Sequence, residues 1–192
     1  MTTFNNKTLL DKIGNRVGHA SHILVWILSA FIFMPFIAAA DDAANPDLLR
    51  AITQGDCDEV ESLLSSGTSS NGVFEDFYRL TPMPVIFMAA SSGNGCIVEA
   101  LALYGADLNA AIPNTMEPDK SLMSPLTVAV SNGNVAAVKA LLEAGARPKL
   151  LDDRGRDLVP LYIDDLNRWI EPKRSPGTIA KITQLLEQAE SN

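Results

Sequence analysis

The chain has 192 residues, enough for one domain, with 47% hydrophobic and only 6% aromatic residues and a net charge of −8. Residues 1–40 hold three of the 15 Lys+Arg and one of the 23 Asp+Glu, so the remainder carries 12 against 22, a net charge of −10. Such a surface repels phosphate backbones and anionic headgroups, which argues against nucleic acid as a partner and for a protein with a basic rim.

From the start of the chain, Lys7, Lys12 and Arg16 precede a continuous apolar run from Ile23 to Ile37, and Ala38-Ala39-Ala40 follows just before Asp41-Asp42. A basic region, an apolar core and a small-residue exit are the parts of a secretory signal peptide, which predicts a mature chain beginning at Asp41. The alternative is an uncleaved inner-membrane anchor facing the periplasm, although Pro35 interrupts a segment of barely spanning length. In both cases the basic residues stay inside and residues 41–192 cross the membrane. Both histidines, His19 and His22, fall in this segment. Without it the chain has no histidine for a nucleophile pair or a metal site.

Beyond residue 40 the chain repeats itself. Gly55 and Gly67, Gly93 and Gly105, and Gly133 and Gly145 are three pairs with the same separation of 12. Small or apolar residues precede the first glycine of each pair: Ala51-Ile52, Ala89-Ala90 and Ala129-Val130. Between the glycines, Val60, Leu63 and Leu64, then Val98 and Leu101, then Val138, Leu141 and Leu142 recur at helical spacing. Each unit therefore reads as two short helices, with glycine ending each. Ser124 is an N-cap with Pro125 at the first helical position. The openings at Pro46-Asp47-Leu48-Leu49 and Pro84-Val85-Ile86-Phe87 lack that signature, and Val85 to Met88 read as sandwiched between neighbours.

Ser124-Pro125-Leu126-Thr127 and Gly105-Ala106-Asp107-Leu108-Asn109-Ala110 resemble the opening and exit of the ankyrin repeat, whose period is about 33 residues. The resemblance covers residues 46–157 and implies an all-α ankyrin-repeat solenoid with repeats at about 46–83, 84–123 and 124–156. Arg50 and Gln54 are polar where an internal repeat is apolar, as expected of a terminal repeat. Residues 157–192 depart from the pattern and read as a C-terminal cap. In it Asp157 caps a helix running from Leu158 to about Ile170, and a closing helix spans Gly177 to Glu190 with Ile179, Ile182, Leu185 and Leu186 on one face. Cys57 and Cys96 sit near the starts of second helices at different offsets. An oxidising compartment permits a disulfide between them, but stacked repeats lie about 10 Å apart, beyond its reach, so the favoured expectation is two small, partly buried, unpaired cysteines.

Two connections exceed the family's period by several residues, 72–83 and 111–123. Insertions in repeat proteins gather on one side, often the binding side. Phe74, Phe77, Tyr78 and Arg79 are residue types enriched at hot spots, and Ile112 and Met116 are apolar points on a Pro-stiffened loop ringed by Glu117 and Asp119. These eight residues are the candidate protein-binding site; the alternative is that their side chains fold back over the stack as a lid. The acidic group Asp152, Asp153, Asp157, Asp164 and Asp165 lacks the spacing of a calcium loop and reads as turns and caps. No phosphate loop, nucleophile elbow or catalytic carboxylate pair is present, so no enzyme, cofactor or metal is expected. The resemblance implies a monomeric binding module exported to the periplasm. Its candidate jobs are neutralising an antibacterial effector, as immunity proteins do, or serving as a stress-protective scaffold for periplasmic enzymes.

Overall fold

The computed structural model describes residues 43–76, 81–114, 121–166 and 177–191; the segment read as a signal peptide lies outside them. The described residues form helices α1 (Pro46–Gln54), α2 (Cys57–Ser65), α3 (Val85–Ser92), α4 (Gly95–Leu103), α5 (Pro125–Ser131), α6 (Val135–Glu143), α7 (Val159–Asp165) and α8 (Gly177–Glu190). Four strands accompany them: β1 (Val73–Asp76), β2 (Thr81–Pro84), β3 (Ile112–Pro113) and β4 (Leu122–Met123). Helices α1, α3, α5 and α7 pack in succession as one layer, and α2, α4, α6 and α8 as a second. None of these helices is longer than 14 residues, so none could bury its apolar face alone.

The core runs between the layers. Leu48 and Ile52 of α1, Ile86 and Phe87 of α3, Leu126 and Val130 of α5, and Leu158 and Leu166 beside α7 are all buried. The second layer contributes Val60, Val98, Leu101, Val138, Leu141 and Ile182. These are the positions at which the periodicity repeats, and Phe87, only 1% exposed, is the largest fully buried side chain.

The openings of the three repeats are capped by different means. Asn45 Oδ1 accepts from the backbone N–H of Asp47 at 2.8 Å and starts α1. Ser124 and Thr127 form a reciprocal capping box at α5: Ser124 N–H donates to Thr127 Oγ1 at 2.8 Å, and Thr127 N–H donates to Ser124 Oγ at 3.3 Å. Pro84, at the cap of α3, supplies no side-chain acceptor; instead Val85 N–H donates to the Gly72 carbonyl at 2.9 Å. That places Gly72 so close to the preceding chain that a Cβ there would lie 2.7 Å from Ala44 Cα. Gly93, at φ +77°, ends α3 in the left-handed region, and a Cβ would meet Asn134 at 2.9 Å, so two constraints require glycine there.

The architecture is the all-α repeat stack implied by the sequence, with a correction to the connections. Their ends are antiparallel hairpins, with Val73 opposite Pro84 and Asp76 opposite Thr81 in one, and Ile112 opposite Met123 in the other. Pro82 and Pro84 are tolerated because a two-stranded ribbon has an outer edge that needs no donor. The chain before α1 likewise reaches this hairpin at Ala44, whose N–H donates to the Val73 carbonyl at 2.6 Å.

The cap is a further correction of detail. Helix α7 starts at Val159, with Leu158 at the cap position, rather than directly after Asp157. Asp157 Oδ1 still serves the helix from one residue back, accepting from Val159 N–H at 3.1 Å and from Leu150 N–H at 3.2 Å. The expected extension of this helix to about Ile170 lies outside the described residues beyond Leu166.

Candidate protein-binding face

Asparagine side chains hold the repeats in register. Asn71 Oδ1 accepts from Asp107 N–H at 2.8 Å, while its Nδ2 donates to the Gly105 carbonyl at 2.9 Å. One repeat later, Asn109 Oδ1 accepts from Arg147 N–H at 2.8 Å. A second ladder joins the inter-helix turns: Asn94 Nδ2 donates to the Gly55 carbonyl at 3.1 Å, and Asn134 Nδ2 to the carbonyls of Ala90 and Ser91 at 2.9 and 2.8 Å. These bonds fix where each hairpin leaves the stack, because the loop that carries the asparagine leads directly into it. Position 149, four residues after Gly145 as Asn71 and Asn109 are after Gly67 and Gly105, is lysine, and it pairs with Glu190 of α8 at 3.5 Å. The ladder therefore ends at Lys149, which meets the last residue of the closing helix.

Cys57 and Cys96 are joined as a disulfide with their Cα atoms 6.1 Å apart, which corrects the expectation of unpaired thiols. The spacing of helix axes was the wrong measure. A Cα lies about 2.3 Å off its helix axis, so facing Cα atoms of helices about 10 Å apart come to roughly 5.4 Å, within disulfide reach. Cys57 is the first residue of α2 and Cys96 the second of α4, and that diagonal offset, with Asn94 drawing the two turns together, aims them at each other.

Of the eight residues singled out in the two connections, Phe74 and Ile112 are partly buried and pack against the core, as a lid would. Glu75 beside them is exposed. Phe77, Tyr78, Arg79, Met116, Glu117 and Asp119 lie outside the described residues, so the apolar patch expected of Phe77, Tyr78 and Met116 does too.

Sequence reasoning missed a cleft of about 380 Å³ between the base of the second hairpin and the loop after α6. Leu108, Leu122 and Leu150 line it, with Asn109, Arg147 and Lys149 as its polar groups. Leu151 also lines it and is 54% exposed, an apolar side chain left in water at the edge of a concavity. Beyond it the chain folds back in a tight turn, with Leu151 bridged to Asp157. Asp152 organises that turn: its Oδ1 accepts from the N–H groups of Arg156 at 2.8 Å and Arg154 at 2.9 Å, and its Oδ2 from Arg156 Nε at 3.1 Å. The Arg156 N–H holds the carboxyl below its ordinary range, against the burial that would raise it, and the Arg154 N–H and Arg156 side chain add to the lowering. Among the described residues no group of three or more His, Cys, Asp or Glu side chains is arranged to hold a metal.

A family model described as ankyrin repeats, in three copies, matches residues 48–152. The chain is 34% identical over 127 residues to ankyrin repeat protein nuc-2 of Neurospora crassa, 66% of this chain but only 11% of that protein. It is 32% identical over 112 residues to cyclin-dependent kinase 4 inhibitor B of Bos taurus, covering 58% of this chain and 76% of the relative. The corresponding Rattus norvegicus protein is 30% identical over 127 residues, 66% of this chain and 88% of the relative. The match covers a small part of the fungal protein, and the match to the inhibitors spans most of their length.

Proposed function

We propose a function from the family to which this chain belongs, the ankyrin repeats: it is an exported, non-catalytic module that grips one other protein and holds it inactive. Ankyrin stacks are protein–protein interaction modules, and this one presents two hairpins and a partly apolar cleft along its loop side. Inhibition of the partner is supported by the chain's coverage of 76% to 88% of two relatives named as inhibitors, which are of similar size. Neutralising an antibacterial effector is the form of that task open to a protein outside the cytoplasm.

The observation that carries export is the Cys57–Cys96 disulfide. Disulfides persist in oxidising compartments, and cytosolic thiols are kept reduced. The succession of basic, apolar and small residues in 1–40 supports the same reading. The test begins with intact-mass and N-terminal analysis of the protein from the extracytoplasmic fraction, after alkylation in living cells. The expected chain starts at Asp41 and takes up no alkylating agent. Full-length chain in the membrane fraction would instead establish an anchor, and two alkylated cysteines would overturn export. Capture from the same fraction should then give one protein in equal proportion, with its activity lost on mixing. A captured enzyme that keeps its activity would point to a scaffold.

A further inference from the structure

We propose that the cleft between the second hairpin and the loop after α6 takes an extended acidic segment of the partner protein. An aliphatic side chain of that segment sits among the leucines, with a neighbouring carboxylate against Arg147 and Lys149. This rests on the binding reading above and assigns the chemistry of one part of the contact.

Charge, and which charges are already paired, decides the occupant. The chain as a whole is strongly acidic, yet residues 147–156 hold four cations, Arg147, Lys149, Arg154 and Arg156, against Asp152 and Asp153. Asp152 is 8% exposed and its oxygens are taken by the turn, so it offers little negative charge to a visitor. Asp157, just beyond, is likewise committed to the N–H groups of Leu150 and Val159. The charged residues among those lining the cleft are Arg147 and Lys149, so its wall is cationic although the chain around it is acidic.

Arg147 is exposed, its backbone is pinned by Asn109, and its side chain makes no ion pair among the described residues. Lys149 is paired with Glu190, but both side chains are about half exposed, at 53% and 44%. Such a pair is worth little, and a carboxylate arriving from a partner can share or replace it at small cost. The apolar part of the site is Leu108, Leu122 and Leu150 below and Leu151 at the rim. A volume of about 380 Å³ is at the lower end of the range of ligand sites, suited to one or two side chains rather than a helix. An aliphatic residue beside a carboxylate satisfies both parts, whereas a basic segment meets Arg147 and Lys149 as like charges.

The test uses the protein as the cell exports it, disulfide intact and labelled with nitrogen-15. The probes are the peptides acetyl-Ala-Leu-Glu-Leu-Ala-amide and its Glu→Gln counterpart. The Glu peptide should move the amide resonances of residues 108–111, 122–124, 147 and 149–151, and raised salt should weaken it. The Gln peptide should bind about fivefold more weakly, and Arg147→Gln with Lys149→Gln should cost the Glu peptide a similar factor without changing the melting temperature. Leu151→Ser should weaken both peptides. Equal binding of the two peptides, shifts elsewhere, or the same shifts from inorganic phosphate at equal concentration would overturn the proposal. If the exported protein captures its partner undiminished with both cations replaced, this assignment falls and the binding reading stands; if the wild type captures nothing, the binding reading itself falls.

Discussion

The two ends of this stack are held by different means. The N-terminal pair of repeats, α1 to α4, is cross-linked through Cys57 and Cys96, while α5 to α8 add to their packing only non-covalent ties, chiefly a capping box and one aspartate-centred turn. A covalent clamp between neighbours makes the first two repeats one unit, whatever their individual stability. The other end can be loosened by proton or salt. The cleft lies across the two, lined by Leu108 and Asn109 after α4 and by Leu122 and residues 147–151 of the unclamped side.

The largest effect should come from the joint between the two ends. Helix α3 packs on both α1 and α5, and Phe87→Ala would open a cavity there costing about 3–5 kcal/mol. Both ends should then melt together at a lower temperature, followed by circular dichroism. A change of under about 1 kcal/mol would mean that the ends do not communicate through this residue.

The clamp comes next. Cys57 and Cys96 are 39 residues apart in sequence, and removing a cross-link across such a loop costs roughly 4 kcal/mol by chain entropy. Cys57→Ala with Cys96→Ala should therefore lower the denaturation midpoint, with exchange of the α1–α4 amides rising more than that of α5–α8. Equal loosening at both ends would dissolve the distinction between them.

On the unclamped side, Ser124→Ala removes one half of a buried reciprocal cap and should cost about 1–2 kcal/mol. Its effect should concentrate in α5 and α6. The pH response should come from the same side. The Asp152 carboxyl has a lowered pKa in the folded chain, so its contribution is fully present above the ordinary aspartate range. It is lost as pH falls from there through the folded value. Asp152→Asn should flatten the acid limb of stability against pH, and an unchanged limb would remove Asp152 from the account. Smallest of all, Glu190→Gln should change stability by less than about 0.5 kcal/mol, because the pair it breaks is half in water.

Helices and core were legible because glycine pairs punctuate the chain and the same apolar positions return with each unit. The closing helix ran from Gly177 to Glu190 as expected, with Ile182 and Leu186 buried, because its apolar face repeats over three turns. The hairpins were not legible, since strands of two to four residues carry too little alternation to stand out, and prolines in them read as loop. The disulfide was hidden behind an axis spacing that ignores where on the helix a residue sits. The cleft was hidden more deeply. Nothing in a list of charges tells that Asp152 and Asp157 are consumed by backbone N–H groups while Arg147 is left facing outward.

The asparagine ladder also bears on how such a chain could change its length. Asn71 and Asn109 each receive an N–H from the loop that follows one unit later, so donor and acceptor belong to adjacent copies of one block. Duplicating the block between them in the gene would reproduce both halves of the contact at the new junction, with no further substitution required. Lys149 marks the place where this stops, because an ammonium cannot accept an N–H and turns instead to Glu190. Growth by gene duplication is therefore open between Asn71 and Asn109 and not at position 149, where the acceptor is missing.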